Sequence, residues 1–222
     1  KFSANAGKVW RAPAFTELYW NQPSYSMYGN PDLKPEHGVS GDFGFEYSRQ
    51  KIRFSATAFF IDSKDLIAWE YDPLTWETRV KNLDKARQYG VELEGGHIIN
   101  SILSHKLNYT YLNAKDASTK KELPYRAAHT LNYSLTFKPI ENLSLSASVY
   151  YKDKVFTNAA NTVKLDGFFT FDFNLNYTAN EYLSLWIKGI NVGDSKYELT
   201  ADYPMPGAAV YGGICVKFWQ GQ

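Results

Sequence analysis

Apolar and polar residues alternate with a period of two through nearly the whole chain, which limits the fold to β-sheets with two unlike faces. Between Val39 and Ser48, Val39, Gly41, Phe43, Phe45 and Tyr47 share one face, and Ser40, Asp42, Gly44, Glu46 and Ser48 share the other. Ile52, Phe54, Ala56, Ala58 and Phe60 likewise oppose Arg53, Ser55 and Thr57. The split recurs where Leu131, Tyr133, Leu135 and Phe137 oppose Asn132, Ser134, Thr136 and Lys138. It recurs again where Phe169, Phe171, Phe173, Leu175 and Tyr177 oppose Thr170, Asp172, Asn174 and Asn176.

Alternation alone fits a soluble sandwich as well as a membrane barrel; strand length and connection pattern separate them. Reading between Gly, Pro and Asn breakers gives ten strands, near 2–9, 37–49, 52–71, 78–97, 104–114, 127–138, 143–156, 167–178, 182–192 and 208–219. Many exceed the usual 5–6 residues and reach the roughly 9–11 that a tilted strand needs to cross a bilayer. The connections SRQK, KPIEN and TANEY and the link near Asn100 are short, whereas 10–36, 115–126, 157–166 and 193–206 are long. Long and short connections sorted to opposite ends are the pattern of an outer-membrane barrel, with periplasmic turns and extracellular loops. The expected fold is all-β: an antiparallel up-and-down transmembrane barrel segment. The face with Phe43, Phe45, Phe171, Phe173, Leu183 and Leu185 meets lipid, and Cys215, between Ile214 and Val216, points to the lumen.

Several function classes find no support. Twenty-four Lys and Arg balance 23 Asp and Glu with no basic stripe, so a nucleic-acid partner is not expected. Cys215 is the single cysteine, which excludes an intrachain disulfide and a thiolate metal cluster. His37, His97, His105 and His129 lie outside metal-ligand spacing and beside no Ser or Cys nucleophile motif. Glu92 and Glu94 resemble paired carboxylates, but on a strand facing a wet lumen, with Arg87 nearby, they serve better to neutralise cations of a plug or of the lumen. The DSKD stretch, Asp62 to Asp65, lacks the Gly and terminal Glu of a calcium loop and reads as a solvated strand segment. Alternation puts Asn and Ser or Thr two apart automatically, so the four Asn-x-Ser/Thr matches carry no glycosylation message. No catalytic residue, metal site or cofactor is expected, and the chain is not read as an enzyme. KFSANAGKVW at the start alternates without a basic segment before an apolar run, so the chain reads as beginning inside a structural element.

The punctuated stretches carry a resemblance. Trp10 to Glu36, WRAPAFTELYW…GNPDLKPE, resembles the loop segment of TonB-dependent outer-membrane receptors, with an Arg-Ala-Pro element before a Gly-Asn-Pro-x-Leu-x-Pro-Glu element. NLDKARQYGVELEGG, Asn82 to Gly96, is similar to the family's Asn…Ala…Gly-Val-Glu strand. NVGDSKYELTADYPMPG, Asn191 to Gly207, is similar to the element before its last strand. Ala208 stands where the family commonly has Arg, and Phe218 at the terminal aromatic stop is followed by Trp219 to Gln222.

The resemblance implies that residues 1–222 form the C-terminal segment of a larger plugged barrel, closest to cobalamin and ferric-siderophore receptors, without the N-terminal plug, earlier strands and TonB box. It implies energy-dependent transport of cobalamin or a ferric siderophore. The implied partners are outer-membrane lipid, that ligand, the TonB complex through the missing N-terminal region, and the barrel-assembly machinery. A passive porin or channel and a soluble carbohydrate-binding β domain are the alternatives. Large ligands of this kind present flat or apolar surface, which aromatic side chains on extracellular loops cover at low entropy cost. Tyr19, Trp20, Tyr25, Tyr28, Trp76, Tyr125 and Tyr203 are the ligand-binding candidates. In Gly29 to Glu36, two prolines that lack N–H donors suit a loop that caps the barrel wall.

Overall fold

The computed structural model describes residues 1–72 and 74–218. Ten long strands follow one another in a single antiparallel sheet, each hydrogen-bonded to the next in sequence. They are β1 Phe2–Arg11, β2 Glu36–Arg49, β3 Ile52–Asp72, β4 Glu77–Ile98, β5 Leu103–Asp116, β6 His129–Ile140, β7 Leu143–Lys152, β8 Phe168–Thr178, β9 Leu183–Ile190 and β10 Ala209–Val216. Among the described residues no pairing joins β1 to β10, so the sheet is an open, up-and-down wall, part of a barrel. The only other sheets among the described residues are two-stranded pieces inside loops, too small to cover a face, which overturns the sandwich alternative.

Each expected strand is present, with shifted ends. The segment expected at 143–156 stops at Lys152, where the Asp153 carboxylate accepts from the Lys154 N–H at 2.8 Å and turns the chain away. The last strand ends at Val216 rather than 219, and the chain beyond Phe218, including Trp219, lies outside the described residues.

The register carries one apolar row across the sheet. Phe2 faces Phe45, which faces Ala56, then Leu93, Tyr109, Leu131, Tyr151 and Phe169 on successive strands. Large side chains on this face are open to the surroundings, among them Phe43 at 55 % and Ile214 at 69 % exposure. A contiguous surface of that kind requires an apolar environment. The opposite face carries Asn5, Asp42, Ser55, Thr57, Glu92, Glu94, Asn108 and Asn174, the residues of a water-filled lumen. Cys215 is opposite Ser184 and so shares that polar face, as expected. Arg87 does not: it is opposite Asp62 and Lys115 on the outer face, separated from Glu92 and Glu94, because the odd spacing from 87 to 92 crosses the sheet.

Four glycines receive a ring from the residue directly opposite: Gly41 from Phe60, Gly90 from Phe59, Gly189 from Phe173 and Gly213 from Trp186. An aromatic ring laid over a cross-strand glycine covers backbone that would otherwise be bare and pins the register. The nature of the neighbour sets the cost of adding a methyl group. At Gly189 a Cβ meets the Phe173 ring and Val192, side chains that can give way, whereas at Gly90 it also meets the Tyr111 carbonyl oxygen, which belongs to the ladder. Gly189→Ala is therefore expected to cost about 1 kcal/mol and Gly90→Ala distinctly more. Unfolding of the membrane-inserted protein in urea measures both; an inverted order would contradict this account.

Side chains that are fully packed away cluster at one end of the wall. Leu33, Ile67 and Val80 form one cluster with Leu18 and Trp69, and Ala86, Ala114 and Leu123 form a second with Leu66, Leu83 and Leu112. A single-layer wall has lipid on one side and lumen on the other, so a core forms only where loops fold back onto strands. That end carries connections 12–35, 117–128, 153–167 and 191–208 and the tip of the β3–β4 hairpin. The other end has short turns at 50–51, 99–102, 141–142 and 179–182.

Candidate functional site

β3 and β4 have 21 and 22 residues, about twice what crosses a bilayer, so their distal halves project as a ribbon beyond the wall. The change occurs at Asp65, held at φ 54°. Beyond it both ribbon faces are covered: Ile67 and Val80 pack under Leu33 of connection 12–35, while Leu66 and Leu83 pack with Leu123 of connection 117–128.

Connection 12–35 is folded rather than irregular. It contains a five-residue helix, Phe15–Tyr19, a turn of 3₁₀ helix at Pro23–Tyr25, and a small hairpin pairing Asn21–Gln22 with Met27–Tyr28. The helix starts where Glu17 reaches back to accept from the Ala14 N–H at 2.6 Å. Its ends are tied by an ionic clamp. Arg11, at the end of β1, donates to both Glu17 oxygens at 2.9 and 3.0 Å and to Glu36 Oε1 at 2.6 Å. Glu36, only 8 % exposed, also accepts from the Ile67 N–H at 2.8 Å and so joins the clamp to the ribbon. The hydrogen bond to Glu36 holds the Arg11 guanidinium far above even its ordinary pKa, fixing it as a cation.

The GNPDLKPE stretch lies down on the ribbon. Asn30 donates to the Val80 carbonyl at 3.3 Å, Lys34 N–H to Asn82 Oδ1 at 2.8 Å, and Asn82 Nδ2 to the Lys34 and Asp65 carbonyls at 2.9 and 2.7 Å. Gly29 is needed because a Cβ there would sit 2.8 Å from the Glu17 carbonyl oxygen. The capping role expected for Gly29 to Glu36 follows from these contacts.

The other connections are closed by asparagines. Asn161 pairs with the backbone of Glu122 through both amide atoms, at 2.8 and 2.9 Å, docking connection 153–167 onto 117–128. Asn158 is buried and holds Thr162 and Val163. Asn191, also buried, accepts from the Ser195 N–H and donates to the Ser195 and Pro206 carbonyls, which knots the loop before β10. Asp194 accepts from Lys196 at 2.9 Å and from the Ala208 N–H at 3.0 Å, and Lys196 above all draws its pKa below the ordinary carboxylate value. A cavity of about 300 Å³ remains between the ribbon tip and connection 153–167, lined by Glu70, Asp72, Glu77, Arg79, Lys81 and Asn158 among others.

All seven aromatic candidates are at this loop-bearing end. Tyr19, Trp20 and Tyr25 lie on connection 12–35 with exposed rings, Tyr19 tilted against Phe15 with ring centroids 4.9 Å apart. Tyr28 is different: Arg79 of the ribbon sits over its ring at 4.8 Å, which commits one face of the ring to packing. Trp76 stands at the ribbon tip with 74 % exposure, Tyr125 lies on connection 117–128, and Tyr203 projects from the last loop. The structure thus gathers four candidates on one connection and seats the other three on separate loops. Sequence reading missed Arg11, Glu17, Glu36, Asn82, Asn158, Asn161 and Asn191 as organising residues. Their signal was present in part, since several are the polar positions of the punctuated stretches.

Two smaller expectations change. Asp62 is not merely solvated: it pairs with Arg87 at 3.0 Å and Lys85 at 3.5 Å. His97 and His105 look scattered in sequence but are opposite each other on β4 and β5, with rings 5.6 Å apart.

A sequential antiparallel wall with one lipid-type face, one polar face and elaborate loops at a single end is part of an outer-membrane β-barrel. Residues 1–192 match the TonB dependent receptor-like β-barrel family, and the chain belongs to that family, whose members reside in the bacterial outer membrane. The vitamin B12 transporter BtuB of Photobacterium profundum is 30 % identical over 221 residues, 98 % of this chain and 35 % of that protein. The vitamin B12 transporter BtuB of Vibrio vulnificus is 26 % identical over 89 % of this chain and 31 % of its own length. The chain therefore spans about a third of the length of these relatives. Among solved structures, the copper transporter OprC superposes over 98 % of this chain and 37 % of its own, with a TM-score of 0.81 at 22 % identity. The ferric enterobactin receptor PfeA of Pseudomonas aeruginosa, in complex with enterobactin, gives 0.76 at 21 % identity over 98 % of this chain and 38 % of its own. These similarities at low identity concern the fold.

Proposed function

We propose that this chain is the C-terminal barrel segment of a receptor that takes up cobalamin, or a ferric siderophore, across the outer membrane. The observation that carries the reading is the 30 % identity to a vitamin B12 transporter across 98 % of the chain. In this reading the complete protein adds an N-terminal plug and the remaining strands. Energy comes from the TonB complex through that region, the barrel-assembly machinery inserts the wall, and no covalent chemistry is involved. The loop-bearing end faces outward, as long connections do in outer-membrane barrels.

Tyr19, Trp20, Tyr25, Trp76, Tyr125 and Tyr203 supply the apolar contact surface, and Tyr28 supports it from beneath through Arg79. Connection 12–35 is held rigidly by the Arg11 clamp, so rings on it are positioned before the ligand arrives, which lowers the ordering cost of binding. Equilibrium binding of cyanocobalamin and of ferric enterobactin to the full-length receptor tests the assignment. Trp20→Ala combined with Tyr25→Ala is expected to weaken the bound ligand by roughly 1 kcal/mol or more, about fivefold, while insertion stays normal. Unchanged affinity would confine this connection to a structural role, and binding of neither compound would refute the ligand class.

A further inference from the structure

On the outer face, the rows next beyond the apolar band at the loop-bearing end are strongly basic. One row reads Lys8, Val39, Asp62, Arg87, Lys115 across β1 to β5, and the next reads Trp10, His37, Lys64, Lys85 across β1 to β4. Two cation pairs stand directly opposite one another, Lys64 with Lys85 and Arg87 with Lys115. Like charges in that position oppose strand pairing.

Among the described residues the carboxylates at hand do not balance them. Asp62 is shared between Arg87 and Lys85, and Asp65 lies 3.6 Å from His37. Glu122 is opposite Lys115 in an isolated bridge without an ion pair between their side chains. Among the described residues Lys8, Lys64 and Lys115 make no ion pair. The cations lie just past Phe60 and Tyr89, both exposed on the same face, which are placed as interfacial aromatics are placed. The corresponding ends of β6, β7 and β8 finish instead on His129, Tyr151 and Phe169, so the basic area is local to one sector.

We propose that this sector docks the phosphate-bearing headgroup of a lipid in the outer leaflet. Neighbouring strands are about 4.8 Å apart and alternate residues along a strand about 6.8 Å apart, so Lys64, Lys85, Arg87 and Lys115 span the width of one headgroup with more than one phosphate. The lipid's acyl chains then lie along the apolar face below, past Ala58, Val91 and Tyr111. Charge complementarity with the phosphates removes the repulsion between the facing cations. A lipid rather than a free anion is the occupant because the cations adjoin the lipid-type face. The inference depends on the membrane setting of the wall and not on which ligand the receptor transports.

The test uses the full-length receptor in phosphatidylcholine nanodiscs, with bound lipid counted by native mass spectrometry. The probes are bis-phosphorylated lipid A, the same lipid after removal of both phosphates, and inorganic phosphate. Phosphorylated lipid A is expected to bind at least roughly tenfold more tightly than its dephosphorylated form. The combined variant Lys64→Gln, Lys85→Gln, Arg87→Gln, Lys115→Gln is expected to abolish that preference. Lys106→Gln with Lys188→Gln removes the same kind of charge from the lumen face and is expected to leave it intact. Should the fourfold variant fail to insert, Lys64→Gln with Lys115→Gln removes only cations that make no ion pair among the described residues and is still expected to reduce the preference severalfold. Equal binding of the two lipids, or a preference that survives these substitutions, would overturn the proposal. Displacement of the lipid by inorganic phosphate at similar concentration would overturn it in favour of a free-anion site. Cyanocobalamin binding by the same preparations is expected to be unchanged and reports separately on the receptor function.

Discussion

Arg in place of Phe173 is expected to destabilise the inserted wall by about 2–4 kcal/mol, the cost of a cation on the lipid face near the bilayer midplane. Phe173 is at the middle of β8, opposite Ala147 on one side and Gly189 on the other, with its ring over the glycine. The substitution therefore removes a cross-strand cover as well as placing charge in hydrocarbon. Asn174, one residue on, faces the lumen between Ser146 and Lys188, so Arg there meets water. Its cost is expected to stay at or below about 1 kcal/mol, the repulsion from Lys188 directly opposite included. Urea titration of the full-length receptor folded into vesicles compares the two variants. Equal losses at 173 and 174 would show that the faces are misassigned.

That contrast between adjacent residues is why so much of the wall was legible from sequence. With lipid on one side and water on the other, each residue's polarity reports its face directly, and a one-residue slip would invert every strand. The ten strands, the short turns and the lumen position of Cys215 all follow from this rule. It fails where its premise fails. Beyond Asp65 the β3–β4 ribbon is covered on both sides by loops, so Leu66 and Ile67 are both packed although they are consecutive. Alternation could not place those contacts, nor show that 74–76 lies at the tip of a projecting ribbon instead of in a break within the wall. Arg87 was put with Glu92 and Glu94 by proximity in sequence, when parity already assigned it to the other face. The loop interior was partly readable. Pro31, Pro35 and Gly29 marked a cap, but Glu36 lies 25 residues from its partner Arg11 and Lys34 lies 48 from its partner Asn82, pairings that local pattern does not encode. The aromatic candidates were found through composition and loop position, and only the fold separates Tyr28, engaged by Arg79, from rings with free faces.

The clamp gives the sharpest test of how the loops are held. Glu36→Ala removes the acceptor for Arg11 and for the Ile67 N–H together, and Ile67 is buried, so its N–H is left without a partner. An unmade buried backbone bond combined with a lost, nearly buried carboxylate is expected to weaken docking of connection 12–35 by about 2–3 kcal/mol. Glu36→Gln keeps an acceptor for Ile67 and loses only the charge, so about half that effect is expected. Arg11→Ala leaves Glu17 and Glu36 facing each other without their shared cation, and a loss between the two is expected, since Arg11 is itself partly open to solvent. None of the three changes a residue of the membrane-crossing strand segments, so global unfolding of the inserted wall is expected to shift little. Hydrogen exchange on the full-length receptor resolves the two levels. Protection is expected to fall through residues 12–35 and at Ile67, Val80 and Asn82 on the ribbon, while β6 to β9 exchange as before. A loss confined to Glu36 and its neighbours would mean that Leu33 and the Asn82 bonds hold the connection unaided. A loss spreading into β6 to β9 would mean that the loops and the wall unfold as one unit, and would remove the basis for treating the rim as a separately stabilised platform.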